Sequence, residues 1–547
     1  MTTTIGTLLG VAASFVAVVS WLYAFHYRFF VSIWKTDKVT AYGVYTGLGE
    51  AVQTHFKYLM AGLFRRDSNS QNEREKLQQE VEQAFRREFF YNVTNDGTTN
   101  SKEGNDNGND NGNGNGNAVD TSTGNVIIAH SCRSIFYYMI RSLLNNAKQQ
   151  AALNDENQKK EKKKDDKEVK IKICLGALQF GSFYRLLKGI EKSMESDNVK
   201  IEFYEIDFKS HDDWTLQQEL VDEQQFKSCD LLLVQHVFGQ PMNHDKLVRL
   251  AKKYNLPILE DCVQSGSLFS NYRGYEESDI IMYSGGLDKT PPCFGGGFAM
   301  FRNTPYGNDF YGYCSTIHNV LPIDTWSSRF VTCITIALHV MIAKNLFEIN
   351  TLIGLVSYVW VTERGEYINW FAISLKVRKA KIITPFQHTE SGFLRKPSVY
   401  QLQSMLYGLS KRSDLQLVAE NERKGRDLLL SCIPPKYRLA LFPFLTDESL
   451  ELYKTNSGVS EFSWVVSPIG DRMHLCQHFN DQFLVSMVNT TWEVSETTKA
   501  SISRTANNNL IYLPNINEMT ERQIKKVGRV LTMYCQDLEA SGEHDFS

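Results

Sequence analysis

The sequence predicts an α/β chain built on a largely parallel, two-sided sheet. Short apolar runs alternate with helix-period stretches between residues 125 and 302, the pattern of strands joined by crossover helices. The 547 residues are 42% hydrophobic and 12% aromatic, enough for a sizeable core. A net charge of −3 gives no overall attraction to nucleic acid. The ten cysteines contain no CxxC or CxxxC pair, which argues against a zinc site and a disulfide framework.

Taken in order, the chain opens with an uncharged stretch of 21 residues, Ile5 to Phe25, long enough to span about 30 Å of hydrocarbon as a helix. His26, Arg28, Lys35 and Lys38 follow it and no charged side chain precedes it, so the positive-inside rule puts the remainder in the cytosol. Residues 1–45 therefore read as a single-pass membrane anchor. A cleaved signal peptide is the alternative, but the basic n-region is missing and the span is long for one. Leu77, Val81, Phe85 and Phe89 recur every fourth residue over 72–90 and predict an amphipathic helix. Residues 94–118 and 154–170 are almost wholly polar and read as disordered inserts.

Between the inserts, "NVIIAHS" predicts a strand leading into the helix "RSIFYYMIRSLLNN". "KIKICLGA", "KIEFYEID", "CDLLLVQHV", "LPILED", "DIIMYS" and "GGFAMFR" predict strands; "SFYRLLKGIEKSM" and "NHDKLVRLAKKYN" predict helices. Ligands of such sheets bind beyond the carboxyl ends of the strands, which singles out His130–Ser134, Asp261–Gln264 and Ser284–Lys289.

Asp261 ends an apolar strand, where a carboxylate is costly unless it meets a partner. A turn or helix cap, with Gln264 as capping partner, is the plain alternative. "SCRS" (131–134) precedes a helix and so offers amides to an anion. Phe180 follows another strand, and Lys289 stands five residues after Ser284, ahead of three glycines. A strand-end carboxylate, a lysine, an aromatic and an anion-binding helix start are together what pyridoxal 5'-phosphate (PLP) requires.

The stretch "VQHVFGQPMNHDKLVRLAKKYNLPILEDCVQSGS" also resembles, without a gap, the signature of the DegT/DnrJ/EryC1/StrS aminotransferases. "SDIIMYSGGLDKTPPCFGGGFAMF" continues the likeness, with the same serine-to-lysine spacing and the glycine pair. The likeness covers roughly residues 72–303 and 393–535 and implies a fold-type I PLP-dependent transferase: a large α/β domain at 72–303, a small α+β C-terminal domain at 393–547, and a homodimer. By position it implies that Lys289 is catalytic and holds the cofactor aldehyde, and that Asp261 pairs with the pyridinium nitrogen. It places Gln264 near the ring oxygen, Phe180 on the ring, and Ser284 with the amides of Cys132 and Arg133 on the phosphate. The implied activity is amino transfer from a small-molecule donor to a keto acceptor, such as a nucleotide-linked keto sugar.

The sequence departs from the family at several points. Ser-Cys-Arg replaces Ser-Gly-Thr, Gly266 stands for a histidine, Gly285 for an aromatic and Leu394 for an asparagine. A catalytically degenerate scaffold or regulatory protein at a membrane is therefore the alternative function. The family pattern also leaves residues 304–392 unexplained. The apolar runs 330–343 and 346–361 there, followed by "KVRKAKI", predict helices at the membrane interface, with a buried pair in a soluble dimer as the alternative.

Overall fold

A computed structural model describes residues 71–90, 124–157, 168–194, 198–238, 242–263, 274–285, 293, 295–325, 394–410, 423–445, 464–468, 471–481, 487–488, 492–513 and 519–546. All belong to one compact unit, Thr40–Ser547. The expected anchor at 5–25, the polar insert at 94–118 and the apolar runs at 330–361 lie outside the described residues. Among the described residues, no helix is long and apolar enough to cross a membrane.

Eight strands occupy the expected region: β1 (Asn125–Ala129), β2 (Val169–Gly176), β3 (Leu178–Phe180), β4 (Val199–Ile206), β5 (Leu231–Gln235), β6 (Ile258–Asp261), β7 (Ile280–Ser284) and β8 (Gly297–Phe301). All but β3 form one sheet in the order β1-β8-β7-β6-β5-β2-β4. The pairs β4–β2, β2–β5, β5–β6 and β6–β7 are parallel. Strand β8 runs antiparallel to both neighbours. Strand β1 therefore points the same way as β7, and six strands end at one common edge.

Helices α1 (Gln71–Phe90), α2 (Cys132–Asn157), α3 (Gly181–Ser193), α4 (Asp245–Tyr254), α5 (Pro305–Val320), α6 (Val399–Ser410), α7 (Ser501–Asn509) and α8 (Glu521–Ser541) surround the sheets. One face of the main sheet carries Ile127, Ile173, Leu233, Leu259, Met282 and Ala299, packed with Tyr138 and Met139 of α2, Leu187 of α3 and Phe310 of α5. The opposite face carries Ile128, Ile281, Phe298 and Met300 against Val81 and Phe85 of α1 and Met405 of α6. Both faces are covered, which is why these strands read as apolar runs without alternation.

Three boundaries differ from expectation. Helix α2 continues to Asn157, and β2 takes up Val169 and Lys170, so the polar insert is shorter than 154–170. A helix once nucleated gains one hydrogen bond per added residue, so a polar tail can extend it. Residues from 304 onwards begin with α5, which buries Phe310, Cys314 and His318 and is capped by Thr304 accepting from Gly307 N–H. This helix is part of the core layer. Helix α6 likewise packs on the large sheet, so the covalent position of residue 393 is not a packing boundary.

The C-terminal part holds a second sheet of β9 (Trp464–Val466), β10 (Met487–Val488) and β12 (Leu510–Tyr512), while β11 (Trp492–Val494) pairs with β3. Asp207, just past β4, caps α7 from a distance of nearly 300 residues in sequence. Its Oδ1 accepts from Ser503 N–H at 2.8 Å and Ser503 Oγ–H at 2.7 Å, and its Oδ2 accepts from Ile502 N–H at 3.0 Å. The cap residue proper, Ala500, has no side-chain acceptor. Asp207→Ala should lower the unfolding free energy by about 1–2 kcal/mol, read as a reduced denaturant midpoint, with Asp207→Asn recovering part of it.

Glu205 of β4 carries a second consequence. The Tyr184 hydroxyl lies 2.9 Å from both Ala177 O and Glu205 Oε1, yet a phenol has one proton to give. Both contacts are hydrogen bonds when Glu205 itself holds a proton. Burial pushes its carboxyl above the ordinary value of 4.5 and Asp207 adds to this, against Thr498, Tyr184 and Arg504. A raised folded-state value means that the stabilising contribution is complete below the unfolded value and is lost as pH rises through the folded one. Glu205→Gln should therefore stabilise the protein at neutral pH, and melting curves should converge with the parent as pH falls below 4.5.

Candidate active site

The common edge of the sheet collects most of the expected residues. Successive strand residues point to opposite faces, so parity decides which of them meet. Asp261 shares its parity with Leu259, Ser284 with Met282 and Gln235 with Leu233, all on the face covered by α2, α3 and α5. Asp261, Ser284 and Gln235 therefore lie on the same side of the sheet, at the ends of neighbouring strands β6, β7 and β5.

Asp261 is buried. Its Oδ1 accepts from Val263 N–H at 3.0 Å, the local turn that the plain reading expected. Its Oδ2 accepts in addition from Gln235 Nε2 at 3.3 Å. Gln235 is the partner in register with it on β5, and its own Oε1 is buried without a hydrogen bond among the described residues. This amide was not singled out from the sequence. The signal was present, because Gln235 ends an apolar strand just as Asp261 does.

Helix α2 brings its N-terminus to the same place. Ser131 closes the first turn, accepting from Ser134 N–H at 3.1 Å through its carbonyl and at 3.3 Å through its hydroxyl. Cys132 and Arg133 are the first two residues of α2, whose amides have no carbonyl four residues back within the helix. The Cys132 thiol donates to Tyr283 O at 3.0 Å, fastening the helix start to the residue before Ser284.

Two of the three glycines at 295–297 allow close approaches here. A β-carbon at Gly297 would lie 2.6 Å from Cys132 N and from Ser131 C. Gly296 has φ +115°, accessible to glycine, and a β-carbon there would meet Met405 Cε at 2.3 Å. Gly285, where the family has an aromatic, lies under Cys293, whose Cβ would be 2.9 Å from an added β-carbon. Cys293 N–H and Gly295 N–H both donate to Gly285 O, at 3.0 and 3.1 Å. The described residues on either side of 286–292 are thus tied together directly beyond β7. Lys289 and Gln264 themselves lie outside the described residues.

Phe180 stands past the end of β2, two strands from β6. It is in register with Trp492 of β11, and the two rings meet edge to face at 6.2 Å. Trp492 also packs on Phe238 at 4.9 Å, which holds φ +58° just beyond β5. The C-terminal part of the chain therefore orients the expected stacking aromatic, a contact with no local sequence signal.

The intervening residues face the other way. His236, Glu260 and Cys262 come within 4.8 Å of one another, buried on the opposite side of the sheet. Met242 N–H donates to His236 Nδ1 at 2.9 Å, which leaves the ring proton on Nε2 facing Glu260 Oε1 at 2.8 Å. A metal at Nε2 would have to displace that proton. Glu260 Oε2 further accepts from Tyr275 N–H at 2.9 Å and Ser278 Oγ–H at 2.5 Å. The trio is a hydrogen-bonded clamp behind the site. Burial pushes the adjacent His244 down to about 3, so its ring is neutral at physiological pH.

Comparison with known proteins agrees with this architecture at the level of fold. No protein-family model matches the sequence, and no curated protein matches it. Among solved structures, 3-amino-5-hydroxybenzoic acid (AHBA) synthase superposes with a TM-score of 0.51 at 9% identity, covering 92% of this chain and 100% of that one. A Streptococcus pneumoniae protein assigned as a sugar aminotransferase, in its apo form, gives 0.50 at 10% identity, covering 90% and 97%. The fold is the aminotransferase fold. A DegT DnrJ EryC1 StrS aminotransferase from Brucella abortus is also similar, at 12% identity and a TM-score of 0.44 over 75% of this chain and 86% of that one.

The tight contact at Gly297 yields a direct test. Gly297→Ala should drive α2 away from β8 and lower stability by about 1–3 kcal/mol, measured by thermal or denaturant unfolding. Gly312→Ala, where nothing lies within 4 Å of the added carbon, should not destabilise the protein.

Proposed function

We propose that the chain is a PLP-dependent aminotransferase that moves an amino group from a small-molecule donor to a keto acceptor. The observation that carries the reading is the one-sided assembly at the carboxyl edge. A buried Asp261 held by Gln235, the start of α2 fastened beside Ser284, and the tied flanks of the Lys289 segment converge on adjacent strands. The AHBA synthase and sugar aminotransferase likenesses support the same reading. A nucleotide-linked keto sugar is the acceptor class that the sequence resemblance implies.

The residues present fit the cofactor. Asp261 offers an anionic acceptor for a protonated ring nitrogen, the amides of Cys132 and Arg133 with Ser284 suit a phosphate, and Gly297 provides the room for their approach. When bound, PLP supplies the electron sink for amino transfer. Asp261, fixed by Gln235 and Val263, holds the proton at the ring nitrogen. Ser284 and the start of α2 would orient the phosphate, and Phe180, braced by Trp492, would lie against the ring. Lys289 would hold the cofactor aldehyde and, as a free amine, would move the proton through Nζ. On this reading the N-terminal apolar stretch anchors the enzyme to a membrane with its catalytic part facing the cytosol, and the sequence resemblance implies a homodimer.

Purified full-length protein with added PLP should show a long-wavelength cofactor absorbance band that Lys289→Ala abolishes. Asp261→Asn should retain bound cofactor and lose roughly 10²- to 10⁴-fold in amino-transfer rate. Absence of any band in the parent protein with excess PLP would sink the reading.

A further inference from the structure

We propose that Asp324 and Arg395 are positioning residues that set the geometry of the anion turn at the start of α2. The inference rests on the reading above, in which that turn receives the cofactor phosphate.

The Asp324 side chain is only 1% exposed, so its charge has to be answered locally. Arg395 Nη1 lies 3.0 Å from Oδ1, His130 Nε2 lies 3.3 Å from Oδ2, and Thr325 N–H donates to Oδ1 at 3.0 Å. His130 is the residue directly before Ser131, which closes the first turn of α2. Its carbonyl accepts from Gly296 N–H at 2.9 Å and from Gln401 Nε2 at 3.0 Å. The peptide and the imidazole of one residue are therefore held from β8, from α6 and from the stretch after α5. The amides assigned to the phosphate begin two residues later.

Asp324 and Arg395 stand on either side of residues 326–393. Ile323 and Lys396 form a parallel bridge, Asp324 N–H donates to Lys396 O at 3.0 Å, and Lys396 N–H donates to Pro322 O at 2.8 Å. The two flanks are thus stitched into a short ladder, and one buried carboxylate joins that ladder to His130. A shift in the ladder changes the hydrogen bond to His130 and, through it, the turn. By linkage, occupancy of the turn favours the closed ladder to the same extent. Sequence position alone hides this, because the paired residues are 71 apart and both lie beside a stretch the family pattern does not explain.

The test compares PLP with pyridoxal, which lacks the phosphate but carries the same ring and aldehyde. Dissociation constants of both are measured on the full-length parent, Asp324→Asn, Arg395→Leu and Arg395→Lys. Asp324→Asn and Arg395→Leu should weaken PLP binding about tenfold while leaving pyridoxal binding unchanged, and Arg395→Lys should recover most of the loss. An equal loss for both ligands would mean a merely structural role and overturn the proposal, as would an unchanged PLP constant. If Asp324→Asn does not fold, the two Arg395 variants, at a side chain 29% exposed, decide the matter. A parent protein that binds neither ligand refutes the PLP reading itself; a parent that binds PLP with an unaltered ligand ratio in the variants refutes this inference alone.

Discussion

The start of α2 lies so close to β8 that no β-carbon fits between them, and the rest of the site depends on that approach. Gly297 permits it, the Cys132 thiol and Tyr283 carbonyl fasten it, and the His130 carbonyl locks onto Gly296. With the helix end held at the end of β7, its amides lie beside Ser284 as the proposed phosphate site, and Asp261 stands on the next strand. A β-carbon at Gly297 would push the helix start away from the strand end that carries Ser284.

Alternation along β5 and β6 divides the work between the two faces. Gln235 and Asp261 turn towards the α2 side, the side of the proposed cofactor site. His236, Glu260 and Cys262, one residue on or one before, turn away and bind one another and the backbone at Met242 and Tyr275. The clamp fixes the strand ends from behind, while Gln235 and one turn amide help to hold the carboxylate in front. In the adjacent polar pairs "QH" and "ED" at the ends of apolar strands, one residue thus faces the proposed site and the other is structural.

Much of this was legible in the sequence because it is local. Apolar runs gave the strands, a serine before an amphipathic stretch gave the helix start, and a carboxylate after four apolar residues out of five marked the edge. The aminotransferase resemblance supplied roles for those positions. What stayed hidden is non-local. The pairing of β3 with β11 braces Phe180 through Trp492, and Asp207 caps a helix in the C-terminal part. The Arg395–Asp324–His130 chain joins residues 71 and 194 positions apart in sequence. Residues 305–320 were grouped with those after 320 because the family pattern explains neither, yet Phe310 and Cys314 seat helix α5 on the sheet.

The central claim is that the segment tied off between Gly285 and Cys293 carries the lysine that holds the cofactor. Borohydride reduction of the PLP-loaded full-length protein, followed by proteolysis and mass spectrometry, tests it most directly. The account predicts a pyridoxyl group on Lys289. A pyridoxyl label on another lysine, or none on a protein that binds PLP, would contradict it.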